Sequence, residues 1–516
     1  MEKPGKKFPR KLLILLPAIG GAFAILAATP LGIGIYSDSV MYLLMARSLL
    51  QGHGLTIDGI AVTLFPPLYP MMLSLSGMVG VDPVDGARWF QAIVMAINIF
   101  WVGIIMMRFS GRSIAISLFA SAVMLGAVDM VAYHALALSD GALLFFFLPA
   151  LLTLSIYLEE KRRILLIASG LLFSLGSLTR YAGLTWSCAG ILSILLVSRK
   201  PRRERIKDAW IFACLSLLAS AIWMFRNMQY NTAMGRSFDA HAFFGTQELA
   251  SLEHAFSAWF FQWTAPDSLL MILVPGFLFS LLLGWFLANR RHLPVRLLQR
   301  FQVLFMFIAV YVVALILSAA FFQADLFRDC TRLLLPLHVL FFFMGLMAVQ
   351  HWWNQKHAGQ FAQIRLRLLG SAICIFLIVT GMLYADRLSR EGQGFASAKY
   401  RSSPLLKRIK SISPDITIYS NLELPLALYT GRSFMSIPEK VINTTQRPNR
   451  KYDEMMKSMT SDLKDSSALL VYIYRRSGSL VFPTLDEIER FVPLRCIGAE
   501  EDGGVYEAVP DTSEAQ

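Results

Sequence analysis

The stretch YSDSVMYLLMARSLLQGHG, Tyr36 to Gly54, follows directly on LLILLPAIGGAFAILAATPLGIGIY, an uncharged apolar run from Leu12 to Tyr36. About 20 apolar residues cross a bilayer as a helix, so Asp38 stands where the chain leaves a membrane. Asp38, Tyr42, Met45 and Leu49 fall at i, i+4, i+7 and i+11, on one helical face. Met41, Leu43, Leu44 and Leu50 add apolar surface elsewhere, which predicts an interfacial helix. Asp38 also suits the N-cap of a helix beginning at Ser39, a role worth about 1 kcal/mol. Lys3, Lys6, Lys7, Arg10 and Lys11 ahead of the first run mimic a signal peptide. The run is too long for one and further runs follow, so an uncleaved first span is expected.

Working outward, apolar runs recur near residues 12–35, 88–107, 113–129, 141–158, 164–180, 182–198, 209–226, 269–289, 301–321, 333–350 and 368–385. About eleven transmembrane helices are therefore expected. Charged residues make up only 16% of the chain, against nearly a quarter in soluble domains, which excludes a soluble enzyme. The net charge of +13 does not point to nucleic acid, because its lysines and arginines are parcelled into short clusters between apolar runs. Alternate connections hold those clusters, among them Arg108 and Arg112, Lys161 to Arg163, Arg199 to Lys207, and Arg290 to Arg300. The positive-inside rule then predicts a cytoplasmic N-terminus and, with an odd number of spans, an extracytoplasmic chain after about residue 386. The long connections, Tyr36 to about Ala87 and Arg226 to Ser268, fall on the outer side, where function is expected. Cys188, Cys214, Cys330, Cys374 and Cys496 have neither paired nor metal-ligand spacing.

Two domains are predicted, a membrane domain over 1–386 and a small extracytoplasmic α/β domain over 387–516. In the second, residues 416–420, 434–437, 468–474 and 504–509 read as strands, and 447–464 and 484–491 as helices. Thr484 and Glu487 have capping-box spacing. Asn443-Thr444-Thr445 is a glycosylation sequon, a weak signal. This tail has no glycine-rich phosphate loop, so a nucleotide site is not expected there.

A charge at the bilayer centre costs roughly 2.5–3.5 kcal/mol on the insertion scale. The chain places its ionisable residues instead at outer span ends: Asp38, Arg88, Asp129, His134, Asp140, Arg180, Arg226, and the set Asp325, Arg328, Asp329 and Arg332. Arg180 and Arg226 also fit as snorkelling residues, and Arg332 as a local partner of Asp325 or Asp329. Tyr69 and the Trp259–Trp263 pair fit interfacial anchors as well as sugar contacts. No two of His134, His241 and His254 share a helical ligand spacing, so no metal and no other cofactor is expected. An interfacial site suits a substrate with a polar head at the surface and a tail in lipid.

An acid after the first span, a juxtamembrane helix ending in Gly52-His53-Gly54, the turn FPPLYP (Phe65 to Pro70) and LTRYAGL (Leu178 to Leu184) together resemble the GT-C membrane glycosyltransferases. The branch containing protein mannosyltransferases, lipid A aminoarabinose transferase and Rgt-type sugar transferases is the most similar. IWMFRN (Ile222 to Asn227) and RDCTRLLLPLHV (Arg328 to Val339) resemble its later outer-face features. The resemblance implies an all-α polytopic membrane fold and an inverting transfer of sugar from a polyprenyl phosphate to an acceptor hydroxyl. It implies Asp38 as general base, Asp140 as a second acid, and Arg180, Arg226, Arg328 and Arg332 around the donor phosphate. Tyr42, Tyr69 and His134 are the candidate substrate contacts. The partners it implies are a lipid-linked sugar donor and a lipid, glycan or protein acceptor in a bacterial inner membrane. Many relatives carry a second acid directly after the first, where this chain has Ser39. Two rivals stand beside this reading: a transporter or flippase of lipid-linked sugars, and a noncatalytic scaffold.

Overall fold

The computed structural model describes residues 10–230, 233–234, 270–321, 330–354, 360–442, 447–465, 467–474 and 481–509. The chain divides into two compact units. One comprises residues 1–33 and 61–390, and the other residues 34–60 and 391–516.

The larger unit is helical. In chain order its helices are α1 (Leu15–Ala28), then, after α2 (Ser37–Leu50) of the other unit, α3 (Leu68–Ser74), α4 (Pro83–Phe109), α5 (Ile114–Gly126), α6 (Val128–His134), α7 (Ser139–Glu160), α8 (Arg163–Thr179), α9 (Ala182–Val197), α10 (Arg202–Met228), α11 (Leu270–Asn289), α12 (Val295–Phe321), α13 (Cys330–Asn354) and α14 (Gln360–Glu391). All eleven apolar runs fall on helices. Among the described residues six helices are long and apolar enough to cross a bilayer, or seven if α5 and α6, bent by 60°, form one span. Other runs form shorter apolar helices, such as Arg163–Thr179 and Ala182–Val197.

Helix α7 is the hub, with 83% of its apolar window buried inside the protein. Its Phe147 meets Trp186 of α9 at 3.8 Å between ring centroids and Phe307 of α12 at 5.6 Å, while Phe173 of α8 stacks on Phe307. Such pairs contribute about 0.5–1.5 kcal/mol beyond their area. Glycines set the helix spacing, as expected where lipid supplies no hydrophobic drive between helices. A Cβ on Gly126 of α5 would lie 2.6 Å from the backbone of α14 at Ile378, and one on Gly190 of α9 would lie 2.6 Å from the Phe212 ring of α10.

One end of the bundle is closed by ion pairs. Glu159 Oε2 accepts from Arg108 Nη2 at 2.8 Å and Glu159 Oε1 from Arg300 Nε at 2.7 Å, while Glu160 also pairs with Arg108 at 3.0 Å. Arg300 Nη1 further donates to the Phe109 carbonyl at 3.0 Å. These residues belong to the basic connections.

In the smaller unit a five-stranded mixed sheet runs in the order Met435–Ser436, Thr417–Ser420, Ala468–Ile473, Gly503–Ala508, Leu494–Glu500. The first two pairings are parallel and the last two antiparallel. Four of these strands match the sequence expectation; Leu494–Glu500 was not foreseen because its Arg, Gly and Glu obscure the alternation. The helix expected over 447–464 begins only at Tyr452, and residues 447–448 are strand. Thr484 and Glu487 form the capping box expected of them. The sequon at Asn443 lies outside the described residues.

Residues 34–60 pack with this tail. Arg47 of α2 donates to the Leu428 carbonyl at 2.7 Å, and Ser433 Oγ donates to Asp58 at 2.6 Å. Ile35 bridges Gly394, which has φ +57 and lies so close to Ile35 O that a Cβ would sit 2.1 Å from it; only glycine fits there. Helix α2 starts at Ser37, two residues earlier than the capping reading requires. Asp38 therefore lies inside the first turn, and the N-cap residue is Tyr36, which makes no side-chain cap bond.

Candidate active site

At the end of the bundle opposite Glu159, three helix termini converge on one carboxylate. Asp140 lies in the first turn of α7, where the helix dipole favours a negative charge. Arg180 is the C-terminal cap of α8, its backbone already extended at φ −156 and ψ 136. Arg332 is in the first turn of α13. Asp140 Oδ1 accepts from Arg180 Nη1 at 2.7 Å, and Asp140 Oδ2 accepts from Arg332 Nε at 2.6 Å. The three side chains are 7%, 18% and 10% exposed. One carboxylate thus meets two guanidinium groups in a poorly hydrated place.

Six further side chains lie around it. Asp129 of α6 pairs with His338 of α13 at 2.6 Å and also accepts the Met130 backbone N–H at 2.8 Å. Beneath the first turn of α7, Asn98 Nδ2 lies 2.9 Å from His134 Nε2 and donates to the Gly141 carbonyl at 2.9 Å. Gln91 Nε2 donates to the Tyr69 hydroxyl at 2.9 Å and the Leu138 carbonyl at 2.7 Å.

Arg226 forms a separate cluster at the end of α10. Its guanidinium lies 4.6 Å from the ring centroids of both Trp223 and Tyr230. Its Nη1 donates to Asn227 Oδ1 at 3.1 Å and to the Val62 carbonyl at 3.4 Å. Asn227 in turn donates to the Tyr181 hydroxyl at 3.0 Å and the Thr63 carbonyl at 3.3 Å. The segment leading into the double proline is thereby fastened to α9 and α10.

The fold thus brings together Asp140, Arg180 and Arg332 from positions up to 192 apart. Arg180 is paired rather than merely snorkelling, and the described partner of Arg332 is Asp140; Asp325, Arg328 and Asp329 lie outside the described residues. His134 and Tyr69 are both fully buried in the bundle. Asp38, half-buried, and Tyr42, 2% exposed, belong to the smaller unit. Among the described residues no three His, Cys, Asp or Glu side chains converge in a metal-binding group. Sequence reasoning missed Gln91, Asn98, Tyr181, Asn227 and His338. Gln91 and Asn98 carried a usable signal, two amides seven residues apart in an otherwise apolar span. Tyr181 and Asn227 sit inside two of the motifs quoted above.

Residues 65–225 match the family profile described as dolichyl-phosphate-mannose-protein mannosyltransferase. No curated protein matches the chain in sequence. The fold is similar to that of ArnT from Cupriavidus metallidurans bound to undecaprenyl phosphate, with TM-score 0.60 and 12% identity over 97% of this chain and 98% of that one. It is also similar to the oligosaccharyltransferase AglB from Archaeoglobus fulgidus in complex with an inhibitory peptide and a dolichol-phosphate, with TM-score 0.53 and 11% identity over 98% of this chain and 74% of that one. The chain is thus a polytopic membrane protein with the fold of the GT-C glycosyltransferases.

Proposed function

We propose that the chain transfers a sugar from a polyprenyl phosphate to an acceptor hydroxyl at the outer face of a bacterial inner membrane, with its N-terminus cytoplasmic and residues 387–516 outside. The observation that carries this reading is the Asp140 carboxylate bridging Arg180 and Arg332, two guanidinium groups brought from distant parts of the chain to one end of the bundle. A phosphodiester carries one charge and its departing phosphate monoester nearly two, so an arginine pair binds the leaving group more strongly than the substrate. Arginine suits this task because its planar fork donates two parallel hydrogen bonds to phosphate oxygens.

In the step proposed, the acceptor oxygen attacks the anomeric carbon from the face opposite the phosphate. The carbon–oxygen bond to phosphate breaks, its electron pair leaves with the polyprenyl phosphate, and the hydroxyl proton passes to Asp38. Inversion follows from attack on the opposite face. Asp38 is assigned the base role on its motif position, and Asp140, with both oxygens held by guanidinium groups, keeps the arginines aimed. Arg226 and Arg328 are assigned to the donor phosphate, and Tyr42, Tyr69 and His134 to substrate contacts, on their sequence positions.

The test is transfer of radiolabel from a panel of polyprenyl phosphate sugars to native membrane acceptors by purified protein. Wild type is expected to form a labelled glycan, and Asp38→Asn to lose about 10²–10⁴-fold in rate. Native-rate transfer by a folded Asp38→Asn protein would remove Asp38 from the mechanism. Movement of labelled lipid across vesicles with no new glycosidic bond would replace the enzyme reading with a transporter.

A further inference from the structure

We infer that Gln91 and Asn98 of α4, with His134 setting the orientation of Asn98, are positioning residues for the Asp140–Arg180–Arg332 bridge. The inference rests on the function proposed above and adds residues that no motif assigns.

Gln91 and Asn98 are seven residues apart and so share one face of α4. Their amides hold the carbonyls of Leu138 and Gly141, which bracket Asp140 on either side. Neither Gln91 nor Asn98 has any solvent exposure, and the same holds for His134. The ring of His134 decides which way the Asn98 amide points. His134 Nδ1 lies 2.7 Å from the Met130 carbonyl, which can only accept, so the proton is on Nδ1 and Nε2 of the neutral ring is an acceptor. Asn98 must present its NH₂ group to Nε2, and the second hydrogen of that group then reaches Gly141 O. A flipped amide would put a carbonyl oxygen against each acceptor. Gly141 is part of the arrangement: a Cβ there would lie 2.8 Å from His134 Nε2 and 3.1 Å from Gln91 Oε1.

Energetics argue that this network is not present for stability. Gln91 Oε1 and Asn98 Oδ1 are buried and accept no hydrogen bond from the described residues. Incompletely satisfied buried polar groups are worse for stability than apolar residues of the same shape. What the network supplies is a fixed direction for the first turn of α7. Asp140 can aim two arginines only if its own carboxylate is held in place, and displacement of a reacting group by about 1 Å costs on the order of 10²-fold in rate.

The test uses full-length purified protein carrying Asn98→Leu, His134→Leu or both, with His134→Gln as the conservative control because its carbonyl still accepts from Asn98. Sugar-transfer kinetics and thermal unfolding are measured together. The expected result is a drop in kcat of about 10- to 100-fold in the leucine variants with KM for acceptor within about twofold, an unfolding midpoint equal to or above wild type in the double variant, where both partners are removed, and recovery of most of kcat by His134→Gln. Wild-type kcat in a folded Asn98→Leu/His134→Leu protein would overturn the inference, as would a lowered unfolding midpoint that accounts for the lost rate. Failure of wild type itself to transfer sugar from any donor would overturn the function proposed above instead.

Discussion

The two ends of α7 contain the same device in different surroundings. At one end the Glu159 carboxylate bridges Arg108 and Arg300, and at the other the Asp140 carboxylate bridges Arg180 and Arg332. Around Glu159 a second acid takes part, Glu160, which meets Arg108 at 3.0 Å and Arg162 at 3.9 Å, and Arg300 spends a further donor on the Phe109 carbonyl and lies 5.1 Å over the Phe109 ring. Asp140 lies in the first turn of α7, where the helix dipole favours its charge, whereas Glu159 lies in the last turn, where the dipole opposes it. A carboxylate at a helix C-terminus depends on its arginines; one at an N-terminus depends on them less and serves to hold them. Position on the helix, not the presence of a buried ion pair, separates the two bridges.

The largest effect expected from breaking this comparison is on stability at the Glu159 end. Glu159→Gln leaves Arg300, 10% exposed, without its carboxylate, and removing one partner of a buried pair costs about 3–5 kcal/mol. Thermal unfolding in detergent should report that loss, while sugar transfer per folded molecule stays at the wild-type level. The next effect is the reverse. Arg332→Gln removes one guanidinium while Asp140 keeps Arg180, and kcat is expected to fall by about 10²–10³, the usual consequence of losing one donor to developing charge, with a smaller loss of stability than Glu159→Gln. If Glu159→Gln slowed transfer without loss of stability, or Arg332→Gln unfolded the protein without slowing it, the two ends would not differ in the way their places on α7 indicate.

Much of this contrast was legible in the sequence, and the part that was not has a physical cause. The eleven apolar runs all became helices, since a continuous apolar stretch leaves the backbone only its own hydrogen bonds to use. The collection of Asp140, Arg180 and Arg332 at span ends followed from the cost of charge in lipid. Their pairing did not, because Asp140 and Arg332 are 192 residues apart and local spacing favoured Asp325 or Asp329. The amides Gln91 and Asn98 went unread for another reason: each is a single polar residue in a greasy helix, and only the carbonyls of Leu138 and Gly141 opposite them give them meaning. The strand Leu494–Glu500 was invisible because its burial is intermediate or exposed at every position and gives no apolar alternation.

The smallest effect sharpens the comparison by moving the same chemistry into water. In the smaller unit Lys440 Nζ pairs with Glu487 Oε2 at 2.7 Å, with side chains 28% and 35% exposed. The Lys440 ammonium, and after it the Thr484 backbone N–H, hold Glu487 below its ordinary value. A carboxylate lowered in the folded state contributes stability that is fully present above its unfolded pKa of about 4.3 and is lost as the pH falls through the folded value. Acid should therefore weaken the pair below about pH 4.3, and Glu487→Gln should remove that part of the pH dependence. Because both groups meet solvent, the loss at neutral pH is expected to stay under about 1 kcal/mol and to shrink further in salt. Denaturation of wild type and Glu487→Gln at pH 7 and pH 3.5 measures both differences. A loss as large as that of Glu159→Gln would mean that burial is not what separates the strong bridges from the weak one, and the reading of Asp140 would have to rest on its place at the start of α7 alone.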